Sequence, residues 1–438
     1  TKTYTGLVTI NSGGAWTNTG DSAINFRGGL THNGTTFTSG AGVYTFNTNA
    51  QAIGGTTALS FGSMTVTGVT LTNNCASLTV STALSGTGGL TQTANGTLFL
   101  GGTSGITTLT ATASPNTVNY NGAGQTVHSN TYHHLTLSGS GTVTMPGSPL
   151  AINGNFTTSG TESATAAAAL TVGGDVVLGS GTTFNAASYS HVVNGNWTNN
   201  GATFTASTSS ITLSGAGAQT LGGSASSAFN HLTIANSAVA VSASASFSAA
   251  GNLTVNASAI LSPTSGVIVS GAGTLTGSGT VRVTRASGTT DFTNQYTITT
   301  KTLTNLTVEF IGAGAQGAGA ITYGGLKINN ASGLTLSGDA TVNGTLTLSS
   351  GNITTGGNQV IVSSSGSVSR TSGHVVGNLQ KNVATGSNVS PTFEIGDAGN
   401  YTPVSLVFGS VSVAGNLTVS TTAGYHPNLA SSDIKVSK

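Results

Sequence analysis

Apolar residues recur along this chain in triplets with a polar centre: Leu78-Thr-Val80, Leu135-Thr-Leu137, Leu170-Thr-Val172, Ile211-Thr-Leu213, Leu253-Thr-Val255, Leu334-Thr-Leu336 and Leu346-Thr-Leu348. In extended backbone, successive side chains point to opposite faces, so the outer two residues of each triplet share one face and the threonine takes the other. This period predicts half-buried strands that are too short for a large sandwich sheet and suited to coils wound one above another. Gly and Asn between the triplets supply the left-handed backbone that tight corners need. No segment sustains apolar residues at helical spacing. The alanine-rich stretch from Ala164 to Leu170 is too short for an isolated helix and reads as strand and turn.

The triplets sit inside larger repeats. Gln51 precedes Phe61-Gly-Ser-Met64-Thr-Val66, and Gln125 precedes Tyr132-His-His-Leu135-Thr-Leu137. The same unit returns as Gln219 before Phe229-Asn-His-Leu232-Thr-Ile234, and as Gln316 before Tyr323-Gly-Gly-Leu326-Lys-Ile328. A second unit links Gly29-Leu-Thr-His-Asn-Gly-Thr-Thr-Phe37 to Gly195-Asn-Trp-Thr-Asn-Asn-Gly-Ala-Thr-Phe204. Self-similarity at comparable spacing marks a repeat architecture. The fold expected is therefore all-β: an elongated parallel β-solenoid over 1–365. With coils of about 20 to 25 residues stacked at the roughly 4.8 Å strand spacing, a rod on the order of 80 to 100 Å follows.

Composition sharpens this picture. Only 4% of the 438 residues are charged, against roughly 25% in an ordinary soluble domain, and no Lys or Arg occurs between Arg27 and Arg282. Disorder is the competing reading of a chain with 65 glycines, and the regular β-branched triplets argue against it. A net charge of +1 with scattered basic residues offers no footprint for nucleic acid. No apolar run approaches the roughly 18 residues of a membrane helix. The start at Thr1 reads as a processed mature end whose export signal has been removed. Cys75 is the single cysteine, so no intrachain disulfide forms, and a small buried hydrophobe is its expected role.

Charge returns near the C-terminus with Arg370, Lys381, Glu394, Asp397, Asp433, Lys435 and Lys438, and Tyr401-Thr-Pro-Val-Ser-Leu-Val-Phe408 reads as a longer strand. These features predict a β-rich capping or assembly module over 366–438. The segment Gly366-Ser-Val-Ser-Arg-Thr-Ser-Gly-His-Val-Val-Gly-Asn-Leu-Gln-Lys381, with Phe393-Glu-Ile-Gly-Asp397 and Tyr401-Thr-Pro-Val404, resembles the distal region of large repetitive surface proteins exported by Gram-negative bacteria. Upstream, Gly-Asn-Trp-Thr-Asn-Asn-Gly and Gly-Ala-Gly-Ala-Gln-Thr resemble their repeat units, so the resemblance covers most of the chain. It implies a secreted β-solenoid with a cell-surface or filament role, and it carries no catalytic residues. Members that use the type IX export route end in a sorting module, and none is visible up to Lys438.

Candidate chemistry is sparse. Asp21, Glu162, Asp175, Asp291, Glu309, Asp339, Glu394, Asp397 and Asp433 are spread along the chain. Only Glu394 and Asp397 are close, in a loop read as solvated, whereas hydrolysis of a polysaccharide calls for converging carboxylates. Gly312-Ala-Gly-Ala-Gln-Gly317 satisfies the dinucleotide fingerprint but lacks the helix that must follow it, and it recurs as Gly122-Ala-Gly-Gln and Gly215-Ala-Gly-Ala-Gln. It is read as repeat punctuation. His128, His133 and His134 form the densest imidazole group, with His231 at the repeat position of His134. Neighbours on a strand face opposite sides, so a polar surface role is expected and not a shared metal. No calcium-loop pattern is present. Asn155-Phe-Thr157, Asn196-Trp-Thr198, Asn252-Leu-Thr254 and Asn416-Leu-Thr418 have the form of glycosylation acceptors, which a chain rich in Asn and Thr produces by composition.

The expectation is thus a non-enzymatic extracellular or cell-surface protein, a self-assembling subunit of a filament, sheath or surface layer whose partner is itself through the chain ends. No catalytic, cofactor or metal residues are assigned. The alternative is an adhesin whose rod binds surface polysaccharide through Trp16, Trp197 and Tyr425, although such aromatics also serve cores and corners. A third reading, ice binding, rests on outward Thr pairs such as Thr65-Val-Thr67, Thr142-Val-Thr144 and Thr345-Leu-Thr347. It requires them to align over several coils, which the sequence alone does not show.

Overall fold

A strand of three residues with one buried face gains little alone, so each triplet finds stability by pairing with the equivalent triplet one coil away. A computed structural model describes residues 1–421. The expectations attached to Tyr425, Asp433, Lys435 and Lys438 lie outside the described residues. The fold is all-β and 1% helical, a parallel β-solenoid of about 20 turns. Two units are distinguished, one of residues 1–254 with 271–273 and the other of 255–270 with 274–438.

In the first unit the inward positions stack in register. Leu98, Val118, Leu135, Phe156, Val176, Trp197 and Leu221 face one another in turn across successive parallel pairings. None is more than 3% exposed. Burying each such side chain contributes about 1.5–3 kcal/mol, so the column is a principal source of stability. The outward faces carry Asn119, Thr136 and Thr157 in a matching column. Nearer the N-terminus the core is aromatic, with Phe26 stacked on Phe46 (centroids 5.4 Å apart) and Tyr44 against Phe61 (4.9 Å). The alanine-rich stretch resolves as read: strand Thr161–Thr165, a turn, then strand Leu170–Val172.

The second unit repeats the scheme with Leu261, Val281, Val308, Leu326 and Leu346 in one inward column. Across the described ladders a coil takes 17 residues at its shortest, from Val118 to Leu135, and 27 at its longest, from Val281 to Val308. The long coil absorbs its surplus in 284–299, which holds the five-residue helix Asp291–Gln295 that the sequence pattern missed. The buried Asp291 carboxylate ties this excursion down by accepting the N–H groups of Ser287 (2.8 Å) and Gly317 (2.8 Å). Parallel pairing runs through residue 365: Ser367–Arg370 pairs with Thr345–Ser350, and Val375–Val383 with Ile353–Val362. Antiparallel pairs then appear, Gly415–Val419 on Val375–Val383 and Phe408–Val411 on Gly386–Val389.

The repeated glutamines hold corners. Gln219 Nε2 donates to the carbonyls of Val193 (3.1 Å) and Gly195 (2.7 Å) in the preceding coil, while its Oε1 accepts the N–H of Gly215 (3.0 Å). Gln125 does the same with Leu100, Gly102 and Gly122, and Gln316 with Val283, Arg285 and Gly312. The next coil extends the clamp. Asn236 Nδ2 donates to Gln219 Oε1 and Gly217 O, and Asn330 Nδ2 to Gln316 Oε1 and Gly314 O. The Gly-x-Gly-x-Gln spelling follows from this geometry: the first glycine gives its N–H, the second its carbonyl, and a Cβ at Gly215 would overlap the Asn194 carbonyl. Gln51 is the imperfect copy, donating to Phe26 O (3.1 Å) with Oε1 left unpartnered.

Because the amide of Gln219 satisfies three buried backbone groups, Gln219→Ala is expected to cost about 2–4 kcal/mol in denaturant unfolding. The near-isosteric Gln219→Glu should be at least as damaging, because it sets an acceptor against two carbonyls.

Candidate functional site

The histidines do not lie as free surface groups. His134 Nδ1 accepts the N–H of Asn155 (2.8 Å), and His231 Nδ1 accepts the N–H of Asn252 (2.9 Å), each one coil further on. A Cβ at Gly154 or Gly251 would come within 2.6 Å or 2.5 Å of these rings, so each His is matched to the Gly-Asn that follows it a coil later. The expectation that His133 and His134 diverge is also corrected. Their rings meet edge to face at 4.3 Å, because His133 precedes the strand His134–Leu137 and strand alternation does not govern it. His133 Nε2 lies 3.3 Å from Ser114 Oγ, and His128 Nε2 lies 2.9 Å from the Ile106 carbonyl. His191 is buried between the Leu170 N–H and the Ala186 carbonyl. Burial, then the neighbouring His133, holds His134 below the ordinary imidazole range, consistent with a neutral ring whose Nδ1 lone pair is in use.

From His134 a chain of carboxamide and carboxylate groups climbs one corner. Asn155 Oδ1 accepts the Asp175 N–H (2.9 Å), Asp175 Oδ1 the Asn196 N–H (2.7 Å), and Asn196 Oδ1 the Thr220 N–H (2.8 Å). The residues of two sequons, Asn155 and Asn196, thus serve as rungs.

The acidic residues are likewise engaged and separate. Glu309, with its side chain 2% exposed, bonds Arg282 Nε at 2.8 Å and Lys327 Nζ at 2.9 Å, joining three successive coils. Burial alone would raise its carboxyl, but the hydrogen bonds and charges of Arg282 and Lys327 win and hold it below the ordinary range. Asp21 accepts the Ala41 N–H at 2.6 Å, and Asp339 the Gln359 N–H at 3.0 Å. Glu394 is not simply solvated, since it pairs with Lys381 at 2.5 Å with both side chains 15% exposed. Asp397 closes a turn by accepting the N–H groups of Gly399 and Asn400. Glu162 is the exception: it is buried with neither oxygen hydrogen-bonded.

The dinucleotide-like segment leads into the strand Gln316–Ala318. A pyrophosphate would need a helix N-terminus at that point. Cys75 is buried, which pushes its thiol up to about 12, the behaviour of an inert packing residue. Trp197 belongs to the core at 2% exposure, donating to Ser227 Oγ at 3.0 Å and packing on Phe204 at 4.8 Å, which corrects its candidacy as a glycan platform. Trp16 is half-buried, stacked on Phe37 and donating to Tyr44 Oη at 3.0 Å.

Strands Lys2–Tyr4, Val8–Ile10 and Ala15–Thr17 each pair on one side only among the described residues, with Ile24–Phe26, Leu30–His32 and Thr36–Thr38. Lys2 N–H and Tyr4 O bond toward the second coil, as do Val8 N–H and Ile10 O. Backbone groups alternate sides along a strand, so Thr3 and Thr9 aim their N–H and C=O away from it. The side chains of Tyr4, Val8 and Trp16 are half-buried there, and Leu7 is 61% exposed.

Comparison with family models, curated proteins and solved structures returned no match.

Asn155→Ala removes one rung of the corner chain and leaves the Asp175 N–H without its acceptor. A loss of about 1–2 kcal/mol is expected in thermal or denaturant unfolding, and Asn155→Asp, which keeps the acceptor, should recover most of it.

Proposed function

We propose that this chain is a non-enzymatic extracellular structural protein, a subunit that assembles with further copies of itself into a filament, sheath or surface layer. The observation that carries this reading is a parallel stack whose polar side chains are spent on pairing one coil with the next. The use of ionisable and amide side chains is in keeping with this reading. His134, His231, Gln125, Gln219, Asn155 and Asp175 hold backbone groups of the coils together and do not converge on a shared cleft. The resemblance to repetitive surface proteins supports an extracellular or cell-surface location. The glycan-binding alternative now rests on Trp16 and on Tyr425, which lies outside the described residues, since Trp197 is buried in the core.

The test is negative-stain electron microscopy with sedimentation velocity of the purified full chain across concentration. Regular polymers are expected for the unaltered protein. An unaltered chain that stays monomeric at every concentration, salt and pH would overturn the proposal.

A further inference from the structure

Glu162 lies in the strand Thr161–Thr165, whose burial alternates so that Glu162 and Ala164 point inward while Thr161 and Thr165 are exposed. The residue is 1% exposed, and neither carboxyl oxygen has a hydrogen-bond partner. Its neighbours along the stack give it none. Gly141 stands opposite it in the preceding coil, in strand Ser140–Thr144. In the following coil the register Ser163↔Thr183 puts Thr182 opposite it, and the Thr182 hydroxyl is already committed to Gly179 O (2.7 Å) and Thr158 Oγ1 (2.8 Å).

No counter-charge is within reach. Strands Ser140–Thr144 and Thr183–Asn185 contain no other ionisable residue, and no Lys or Arg occurs between Arg27 and Arg282. The remaining ionisable groups of the surrounding coils are engaged elsewhere. Asp175 is held in the corner chain, His191 lies between Leu170 and Ala186, and His134 is bonded to Asn155. A buried charged carboxylate without partner or cation is strongly disfavoured, so the group must be neutral or the coil must open to water.

We propose that the coil carrying Glu162 is a pH-sensitive element of the solenoid, closed around a neutral carboxyl under acidic conditions and loosened when that carboxyl ionises. Burial pushes the group up to about 7, only partly offset by the nearby N–H groups of Glu162 and Ser159. The sign follows from proton counting. Between the ordinary value of 4.5 and about 7 the unfolded chain has released a proton that the folded coil retains, so stability falls as pH rises through this window and levels off above it. His32, His134 and His191 oppose it. Burial lowers each of them, so their contribution is present above the ordinary value of 6.5 and is lost as pH falls below it. The difference between the unaltered protein and Glu162→Gln isolates the carboxyl from these imidazoles.

The experiment is hydrogen exchange of the full chain from pH 5 to pH 8, corrected for the intrinsic pH dependence of exchange. Measured against Glu162→Gln at each pH, amide protection in Ser140–Thr144, Thr161–Thr165 and Thr183–Asn185 of the unaltered protein is expected to drop roughly a hundredfold across this range. Parallel curves for the two proteins would overturn the proposal. Carbon-13 labelling of the three glutamates provides a readout that needs no variant. One side-chain carboxyl should titrate near pH 7 while that of Glu309 titrates below the ordinary range, and a set with none above about pH 5 would show that Glu162 is hydrated in the folded coil and refute the mechanism.

Discussion

The structure depends on the requirement that every backbone N–H and C=O at a corner find a partner. Along the strands the parallel ladder meets it automatically. At corners the ladder breaks, and each break repeats on every coil, so an unmet group would be multiplied along the stack at a cost of about 1–3 kcal/mol apiece. The solution here is to give the corners side chains that pair with backbone one coil away: Gln125, Gln219 and Gln316 with two carbonyls and one N–H each, His134 and His231 with one N–H, and Asn155, Asp175 and Asn196 in succession. Side chains that cross from coil to coil also fix register, because a slip of one residue would break several of these bonds together and turn the inward column outward.

This explains which parts of the molecule the sequence made legible. Triplets such as Leu135-Thr-Leu137 announce strands because the demand for one buried face is local, and stacking follows because such strands have nowhere else to bury it. The recurring glutamines were visible as a repeat, but their role was not, since the carbonyls that Gln219 reaches at Val193 and Gly195 lie a full coil away. The histidines misled for the same reason. Strand alternation was applied to His133, which lies outside the strand, and the N–H groups that occupy His134 and His231 belong to the next coil. The short helix at Asp291–Gln295 escaped because five residues carry no periodicity, and what holds it is the reach of Asp291 to Ser287 and Gly317.

The corner chain that starts at His134 lay beyond sequence reasoning, because the N–H group a side chain meets one coil on is a property of its neighbour. Trp197 shows the reverse difficulty. An aromatic residue in a repeat unit suits a sugar platform and a core position equally well, and only its inward register and its bond to Ser227 decide between them. Glu162 breaks the local rule, a carboxyl at an inward position with nothing to receive it, and such violations are where a repeat can carry more than its own stability.

The excursion at 284–299 bears on how such a chain can change over generations. Val281 and Val308 still face each other in register although the coil between them is the longest described. Additional residues therefore leave the wall at a corner, fold on themselves and return without shifting the ladder. A lineage carrying this architecture can accept insertions of irregular length at its bends while the walls remain under strict two-residue discipline, so relatives would diverge in corner length well before they diverge in winding.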